Sequence, residues 1–382
     1  MKKILILIDW FLPAYKAGGP IRSVANLVFH LKNNFEFFII TSDRDLNDEN
    51  HFKNIIFDKW IKNYGINIFY LHKKKLNYQF LKNFLKKEKI DFIYLNSFFS
   101  FNFTIYPLIL FKILNFRLKI IMATRGMLSQ NALKIKSSKK KVFIFLAKKF
   151  KIFNGLTFQA STEIEKKEII EVFGKKVNIK VVSNLPSFVK KIDNFSKEKN
   201  KAELNLIFLS RISKKKNLLF FIKILKKYVF IGKINFFIYG NIDEKNYWNI
   251  CKKEISDIKK NNIQIFYKGS IENFLVGKLL RKFHFYILPT LNENFGHSIF
   301  EAFSNACPSI ISDETPWKNL ENKNIGWDIS LKDEKKWVFV IQNCLNMEEK
   351  EYNQISKNSY DFAVDFFKDG KIIDNNKLLF DN

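Results

Sequence analysis

The sequence predicts an α/β protein of two Rossmann-like domains, and three observations carry that prediction. Short, almost wholly apolar runs alternate with segments patterned as helices, as in parallel sheets whose strands are buried on both faces. The series occurs twice, once up to about residue 182 and again from residue 204. Between the two, residues 187–203 are charged and poor in sheet-forming runs, which marks a linker. A chain of 382 residues is long enough for two domains that each bury a core.

In the first series residues 3–9 read as a central strand, apolar on both faces. Gly18-Gly19-Pro20 then leads into an amphipathic helix over residues 21–31. A glycine pair there lets backbone approach a phosphate or a sugar at the positive end of a helix dipole, and a plain turn is the alternative. Residues 36–41, 66–71 and 92–95 read as further strands, with a long polar connection over 43–57. The longest apolar region, 98–121, is interrupted by Asn102, Pro107, Lys112, Asn115, Arg117 and Lys119. It predicts a buried helix and then a strand at 119–123, and is a poor membrane span. That strand delivers Thr124-Arg125-Gly126-Met127-Leu128 at its end.

Residues 131–154 read as one strongly basic helix. Lys134, Lys136, Lys139, Lys140, Lys141, Lys148, Lys149 and Lys151 alternate with Val142, Phe143, Ile144, Phe145, Leu146, Phe150, Ile152 and Phe153. From residue 133 to 153 the pattern suits an interfacial helix on an anionic membrane, with snorkelling lysines. A surface helix with one buried face is the alternative. A strand over 155–160, a helix capped by Thr162-Glu163 and running to about 173, and a strand over 179–182 close the series.

In the second series strands are predicted at 204–209, 234–239, 263–267, 284–288 and 309–312. Helices are predicted at 218–228, 244–259, 274–282, 297–305 and 352–367. The strand ending at Leu288 stops at Pro289, and a polar loop leads to Phe295-Gly296 and the helix from His297. Glu293 in that loop and Glu301 on the helix flank a polar pocket at the carboxyl end of the sheet, where open α/β sheets bind ligands. The free N–H groups of the helix start suit an anionic or hydroxyl-rich ligand.

The formal charge of +28 must be matched by a nucleic acid, an anionic membrane or phosphorylated substrates. No RNA-binding signature accompanies the lysines, which points away from nucleic acid. Cys251, Cys307 and Cys344 lack metal or disulfide spacing and fit a reducing cytosol. Lys2-Lys3 precede only a short apolar run that meets Asp9, so no secretory signal is read and a soluble or peripheral cytoplasmic protein is expected.

Glu293-Asn294-Phe295-Gly296, with Glu301 eight positions after the first glutamate, resembles the signature of the retaining GT-B glycosyltransferases of family 4, the group 1 transferases. Asp313-Glu314-Thr315-Pro316-Trp317 with Gly326-Trp327 is similar to the branch that builds bacterial surface polysaccharides and lipopolysaccharide. The resemblance implies a GT-B fold, two Rossmann-like domains facing across a cleft. Residues 1–186 would be the acceptor domain, 187–203 the linker and 204–351 the nucleotide-sugar donor domain. Residues 352–382 would be a helix and tail crossing back to the first domain.

It also implies transfer of a hexose-type sugar from a nucleotide-diphosphate donor to a glycan acceptor, lipid-linked, with retention. Glu301 would hold the nucleotide ribose. Glu293, with the backbone of Phe295, Gly296 and His297, would hold donor-sugar hydroxyls. Ser210-Arg211 to Lys216-Asn217 resembles the family's diphosphate-gripping loop, with Arg211 and Lys216 on its charged positions and Ser210 and Asn217 replacing its glycines. Gly18 and Gly19 match the family's glycine loop. Arg125 stands where a histidine commonly faces the transferred sugar, and either contacts a substrate or pairs with a carboxylate. No metal and no cofactor are expected, because the two cations do the metal's electrostatic work. The alternatives are a sugar-nucleotide epimerase or hydrolase on the same fold, and a basic membrane- or nucleic-acid-binding scaffold on an inactive one.

Overall fold

The computed structural model describes residues 1–72, 76–114, 118–129, 132–133, 137–193 and 195–381. Asn131, Lys134 and Lys136 of the predicted basic helix, and Asn115 and Arg117 of the apolar region, lie outside the described residues. The chain forms two compact units, Met1–Leu185 with Gly370–Asn382, and Pro186–Asp369.

The first unit is built on β1 (Lys2–Leu7), β2 (Phe35–Ser42), β3 (Trp60–Asn63), β4 (Ile66–Leu71), β5 (Phe92–Leu95), β6 (Lys119–Ala123), β7 (Thr157–Ala160) and β8 (Asn178–Val181). They form one sheet in the order β3-β4-β2-β1-β5-β6-β7-β8, parallel except where β3 meets β4. Helices α1 (Gly19–Leu31), α2 (Tyr78–Glu88), α3 (Tyr106–Ile113), α4 (Ser137–Lys149) and α5 (Glu163–Phe173) occur between the strands. Strand β1 shows why continuous apolar runs are needed. Ile4 and Ile6 enter one core with Val24 and Val28 of α1, while Leu5 and Leu7 enter the opposite core with Phe84 and Phe98. The side chains alternate, and both faces are covered.

Three local readings change. Trp60–Asn63 adds an edge strand that the sequence pattern did not announce, its tryptophan stacked on Phe84. The helix predicted in the apolar region starts as a π-turn over Phe101–Ile105 before α3. The predicted basic helix is shorter: α4 stops at Lys149, and Lys151, in left-handed conformation, turns the chain so that Phe153 enters the core against Phe98.

The second unit has six parallel strands: β9 (Glu203–Leu209), β10 (Lys233–Tyr239), β11 (Ile263–Tyr267), β12 (Phe285–Leu288), β13 (Ser309–Ser312) and β14 (Gly326–Ile329). Their order is β11-β10-β9-β12-β13-β14, so the winding reverses between β9 and β12. A reversal of this kind leaves a crevice beyond the strand ends. Helices α6 (Leu218–Lys227), α7 (Lys245–Ser256), α8 (Asn273–Leu280), α9 (His297–Phe303), α10 (Glu334–Asn346) and α11 (Glu349–Lys368) complete it. Strand β14 and α10 are additions to the sequence reading.

The described residues of 186–202 form no helix or strand, yet the segment is packed: the Lys199 ammonium is buried against the carbonyls of Asn200, Leu345 and Met347. The expected return to the first domain is made by residues 370–382 alone. There α12 (Gly370–Leu378) packs on α1, and buried Phe380 meets Phe35, Phe92 and Tyr94 edge to face. The preceding α11 belongs to the second unit, with Tyr352, Ile355 and Ala363 in its core.

Candidate active site

The residues singled out in the second half of the sequence gather where β9 and β12 diverge. The loop after β9 makes one 3-10 turn, Lys214–Lys216, and ends on Asn217 in left-handed conformation (φ 56°), which asparagine tolerates better than most residues. Asparagine thus does the conformational work of the glycine it replaces. Backbone also comes close to Ser210 from the next loop. Gly240, with φ 148°, lies so near that a Cβ there would stand 1.8 Å from the Ser210 carbonyl oxygen.

The Lys216 ammonium donates to Glu293 Oε1, and the two side chains are only 13 and 10 % exposed. Thr290 Oγ1 donates to the same carboxylate oxygen at 3.2 Å. Backbone bonds fix the pair: Leu291 N donates to Lys215 O (2.8 Å) and Glu293 N to Glu314 O (3.0 Å). Burial pushes the Glu293 carboxyl up, but the Lys216 and Lys215 charges outweigh it and hold the group below its ordinary value. Burial pulls the Lys216 ammonium down, with Glu293 opposing and the charges of Lys215 and Arg211 adding to the pull. Arg211 itself donates through Nη1 to Asp243 Oδ2 at 2.8 Å, so it is held beside the pair and is not part of it.

Phe295 is buried against Trp317 and Phe300, and Trp317 Nε1 donates to its carbonyl at 2.5 Å. Gly296 needs its φ of 78°, and a Cβ there would also crowd Ile299 Cδ1 at 2.8 Å. His297 opens α9, and Glu301 follows one turn later, partly buried. The buried Tyr286 hydroxyl ties the parts together, donating to Leu209 O (3.3 Å) and accepting from Ser298 Oγ (2.8 Å). Burial raises its pKa well above the ordinary value, and the charges of Glu293 and Glu301 both add to the rise, so both carboxylates act on this one spot.

Gly18, Gly19 and Arg125 lie in the first unit. Gly18 takes φ 70° and Gly19 begins α1. The loop before them is held by Asp45, whose Oδ2 accepts from the backbone N–H of Tyr15 (2.8 Å) and Lys16 (3.1 Å). Arg125 follows β6, and among the described residues it is not paired with a carboxylate, contrary to one of the two readings of it. Its guanidinium is held by Asn96, Tyr94 and Asn184. The turn carrying it is fixed by Glu165, buried, which accepts from Thr124 Oγ1 (2.6 Å), Gly126 N (2.5 Å), Ser161 N (2.7 Å) and Ser161 Oγ (2.5 Å).

Sequence reasoning missed Asp243, Thr290, Gly240, Tyr286, Asp45 and Glu165. All but Thr290, which bonds Glu293 three residues on, act through a partner far along the chain, and only Gly240, a lone glycine just after a strand run, carried a local signal. Among the described residues no group of three or more His, Cys, Asp or Glu is placed to hold a metal ion, and no helix is long and apolar enough to cross a membrane.

Residues 189–362 match the model of the family Glycosyl transferases group 1. Among solved structures, Alr3699/HepE of Anabaena, in complex with UDP-glucose, is similar over 99 % of this chain and 98 % of its own, with a TM-score of 0.67 and 15 % identity. Sucrose-phosphate synthase of Thermosynechococcus elongatus is similar over 100 and 98 %, with a TM-score of 0.74 and 13 % identity. WaaG, a glycosyltransferase involved in lipopolysaccharide biosynthesis, is similar over 99 and 98 %, with a TM-score of 0.64 and 11 % identity. No curated protein matches the chain in sequence. The chain has the fold of the GT-B glycosyltransferases, and the part of it that holds the Lys216–Glu293 pair matches the group 1 family of them.

Proposed function

We propose that the protein transfers a hexose-type sugar, with retention, from a nucleotide-diphosphate donor to a lipid-linked glycan acceptor, in surface polysaccharide or lipopolysaccharide biosynthesis. The observation that carries this reading is the Lys216–Glu293 pair, placed with Arg211 and Glu301 at the switch point of the second sheet. In that reading Glu301 holds the ribose, and Glu293 with the Phe295, Gly296 and His297 backbone holds donor-sugar hydroxyls. Arg211 and Lys216 stabilise the charge that grows on the leaving diphosphate, and the Gly18-Gly19 backbone assists. No metal is assigned a role. HepE with UDP-glucose and WaaG in lipopolysaccharide biosynthesis, neighbours by fold, support the donor class and the pathway.

The enzyme would work as a peripheral protein on the inner face of the cytoplasmic membrane. Support comes from α4 and the residue after it, where Val142, Phe145 and Phe150 are 58, 64 and 66 % exposed beside the exposed Lys139, Lys141, Lys148 and Lys149. Apolar side chains on a basic surface match an anionic lipid interface.

Radiolabelled nucleotide sugars incubated with and without a lipid-linked acceptor test the function. Label moving to lipid only when acceptor is present supports transfer. Label released as free sugar, or kept on an epimerised nucleotide, without acceptor would favour the hydrolase or epimerase instead.

A further inference from the structure

The guanidinium of Arg125 is partly buried at the carboxyl end of β6, and every group that holds it is neutral. Its Nε and Nη2 donate to Asn96 Oδ1 (3.2 and 2.8 Å), Nη2 also donates to the Tyr94 hydroxyl (2.6 Å), and Nη1 donates to Asn184 Oδ1. Tyr94 passes its own proton on to Gln159 Oε1, and Gln159 Nε2 donates to Val182 O at 2.9 Å. The dipoles therefore all present oxygen to one cation, and none brings a charge.

Among the described residues Arg125 makes no ion pair with a carboxylate, and its partners are Asn96, Tyr94 and Asn184. Glu165, which fixes the turn carrying Arg125, and Asp9, beyond the end of β1, are engaged elsewhere. Glu165 spends both oxygens on Thr124, Gly126 and Ser161, and Asp9 accepts from Ser100 Oγ at 2.7 Å. Between Asp91 and Glu163 the sequence holds neither aspartate nor glutamate. An arginine partly withdrawn from water is favoured by a nearby anion, since its charge is costly to desolvate alone.

Two features show that this arrangement is built. Asn96, fully buried, turns its oxygen to Arg125 and leaves its Nδ2 without any hydrogen-bond partner. Arg125 itself is in left-handed conformation, φ 52°, next to Gly126 at φ 71°, a strained backbone for a residue with a Cβ. The fold thus leaves one donor unsatisfied and holds one residue in strain to keep this cation in place. One N–H of Nη1 stays available after Asn184 is served, beside a full positive charge.

We propose that Arg125, held by a ring of neutral oxygen acceptors, forms an oxyanion-recognition site, and that a substrate of this enzyme carries a carboxylate or a phosphate on the sugar read here. The site's chemistry stands on the geometry of the first unit; only the identification of its ligand as a substrate rests on the transferase reading. A uronic-acid carboxylate and a sugar phosphate share this chemistry, and the two are separated by probe.

Binding of glucuronate, inorganic phosphate and glucose to the full-length protein is measured by calorimetry at constant ionic strength. The variants are Arg125→Gln and the exchange of Lys139, Lys140, Lys141, Lys148 and Lys149 for Gln. Arg125→Gln is expected to weaken an anion about tenfold or more, as loss of a charge-assisted bond does, while the lysine variant binds it as wild type does. Tighter glucuronate identifies a carboxylate source, and tighter phosphate a phosphorylated one. Should Arg125→Gln fail to fold, protection of Arg125 in wild type from an arginine-selective dicarbonyl reagent, read by peptide mass, replaces it. Anion binding no tighter than glucose, equal binding by Arg125→Gln, or no protection overturns the proposal. Because these readouts are of binding, such a failure leaves sugar transfer itself untouched.

Discussion

Lys216 and Glu293, 77 positions apart, join the loop after β9 to the loop after β12 through one nearly buried ion pair. Neither strand end would hold its loop in this form alone, because each side chain is desolvated and needs the other. Removing one partner leaves a charge facing an unfilled site. Glu293→Gln and Lys216→Met should therefore each destabilise the protein, and the double variant should lose less than the sum. A double-mutant cycle by urea unfolding is expected to give a coupling of about 1–3 kcal/mol. Additive losses would show that the pair does not couple the loops. In transfer assays Glu293→Gln should lower turnover more than donor affinity, if its contacts tighten as the sugar leaves.

Glu301 sits on α9, four residues after His297, which opens that helix. In the proposed role it holds ribose hydroxyls. Glu301→Ala should weaken donor binding about tenfold or more, since a charge-assisted hydrogen bond contributes roughly 1.5–3 kcal/mol. Calorimetry with the donor nucleotide gives the answer, and unchanged affinity removes Glu301 from the site.

His284 is one source of acid sensitivity. Buried His284 accepts the Asn205 N–H at Nδ1 (3.0 Å) and faces the Glu198 carbonyl through Nε2 (3.1 Å), an arrangement that requires the neutral ring. Burial lowers its pKa from 6.5 to about 4. A depressed folded-state pKa means that the unfolded chain binds the proton first, so stability is complete above pH 6.5 and falls as pH drops toward 4. The loss attributable to this ring reaches about 3 kcal/mol. Urea midpoints between pH 7 and 4 should fall more steeply in wild type than in His284→Gln, and parallel curves would assign the acid loss to other groups.

The surface of α4 makes a separate prediction. Each lysine near an anionic bilayer contributes roughly 1 kcal/mol, so replacing Lys139, Lys140, Lys141, Lys148 and Lys149 with Gln should release the protein from vesicles. Phe145→Ser with Phe150→Ser should weaken binding without changing the charge. Flotation with phosphatidylserine-containing vesicles at low salt tests both. Wild type that stays with the soluble fraction would leave α4 a solvated face.

Much of this architecture was legible because parallel sheets write themselves as continuous apolar runs. The strands at 66–71, 92–95, 119–123, 263–267 and 309–312 fall at the predicted residues. Strand β3 was not legible, since Trp60–Asn63 is an edge with partly exposed, mixed side chains and no apolar run. The extent of the basic helix was misread for a related reason. Lysine and phenylalanine alternate through residue 153, but Lys151 reverses the backbone, and a lysine in left-handed conformation has no sequence signal. At the site, the motif residues were visible and their supports were not. Asp243 became meaningful only once β10 brought the next loop beside Arg211, and Glu165 only once α5 packed under the turn that carries Arg125.

The central claim is that sugar leaves a nucleotide diphosphate under side-chain cations. Arg211 offers a fork of donors and Lys216 a point charge, and fixed donors aimed at developing charge typically contribute about 3–4 kcal/mol each. The direct measurement is transfer of radiolabelled sugar to acceptor in the presence of a chelator, for wild type, Arg211→Ala, Arg211→Lys and Lys216→Ala. The account predicts that wild type keeps its rate under chelation, that both alanine variants are slower by roughly a hundredfold or more, and that Arg211→Lys recovers little. Transfer abolished by the chelator and restored by magnesium, with Arg211→Ala and Lys216→Ala nearly as fast as wild type, would contradict it.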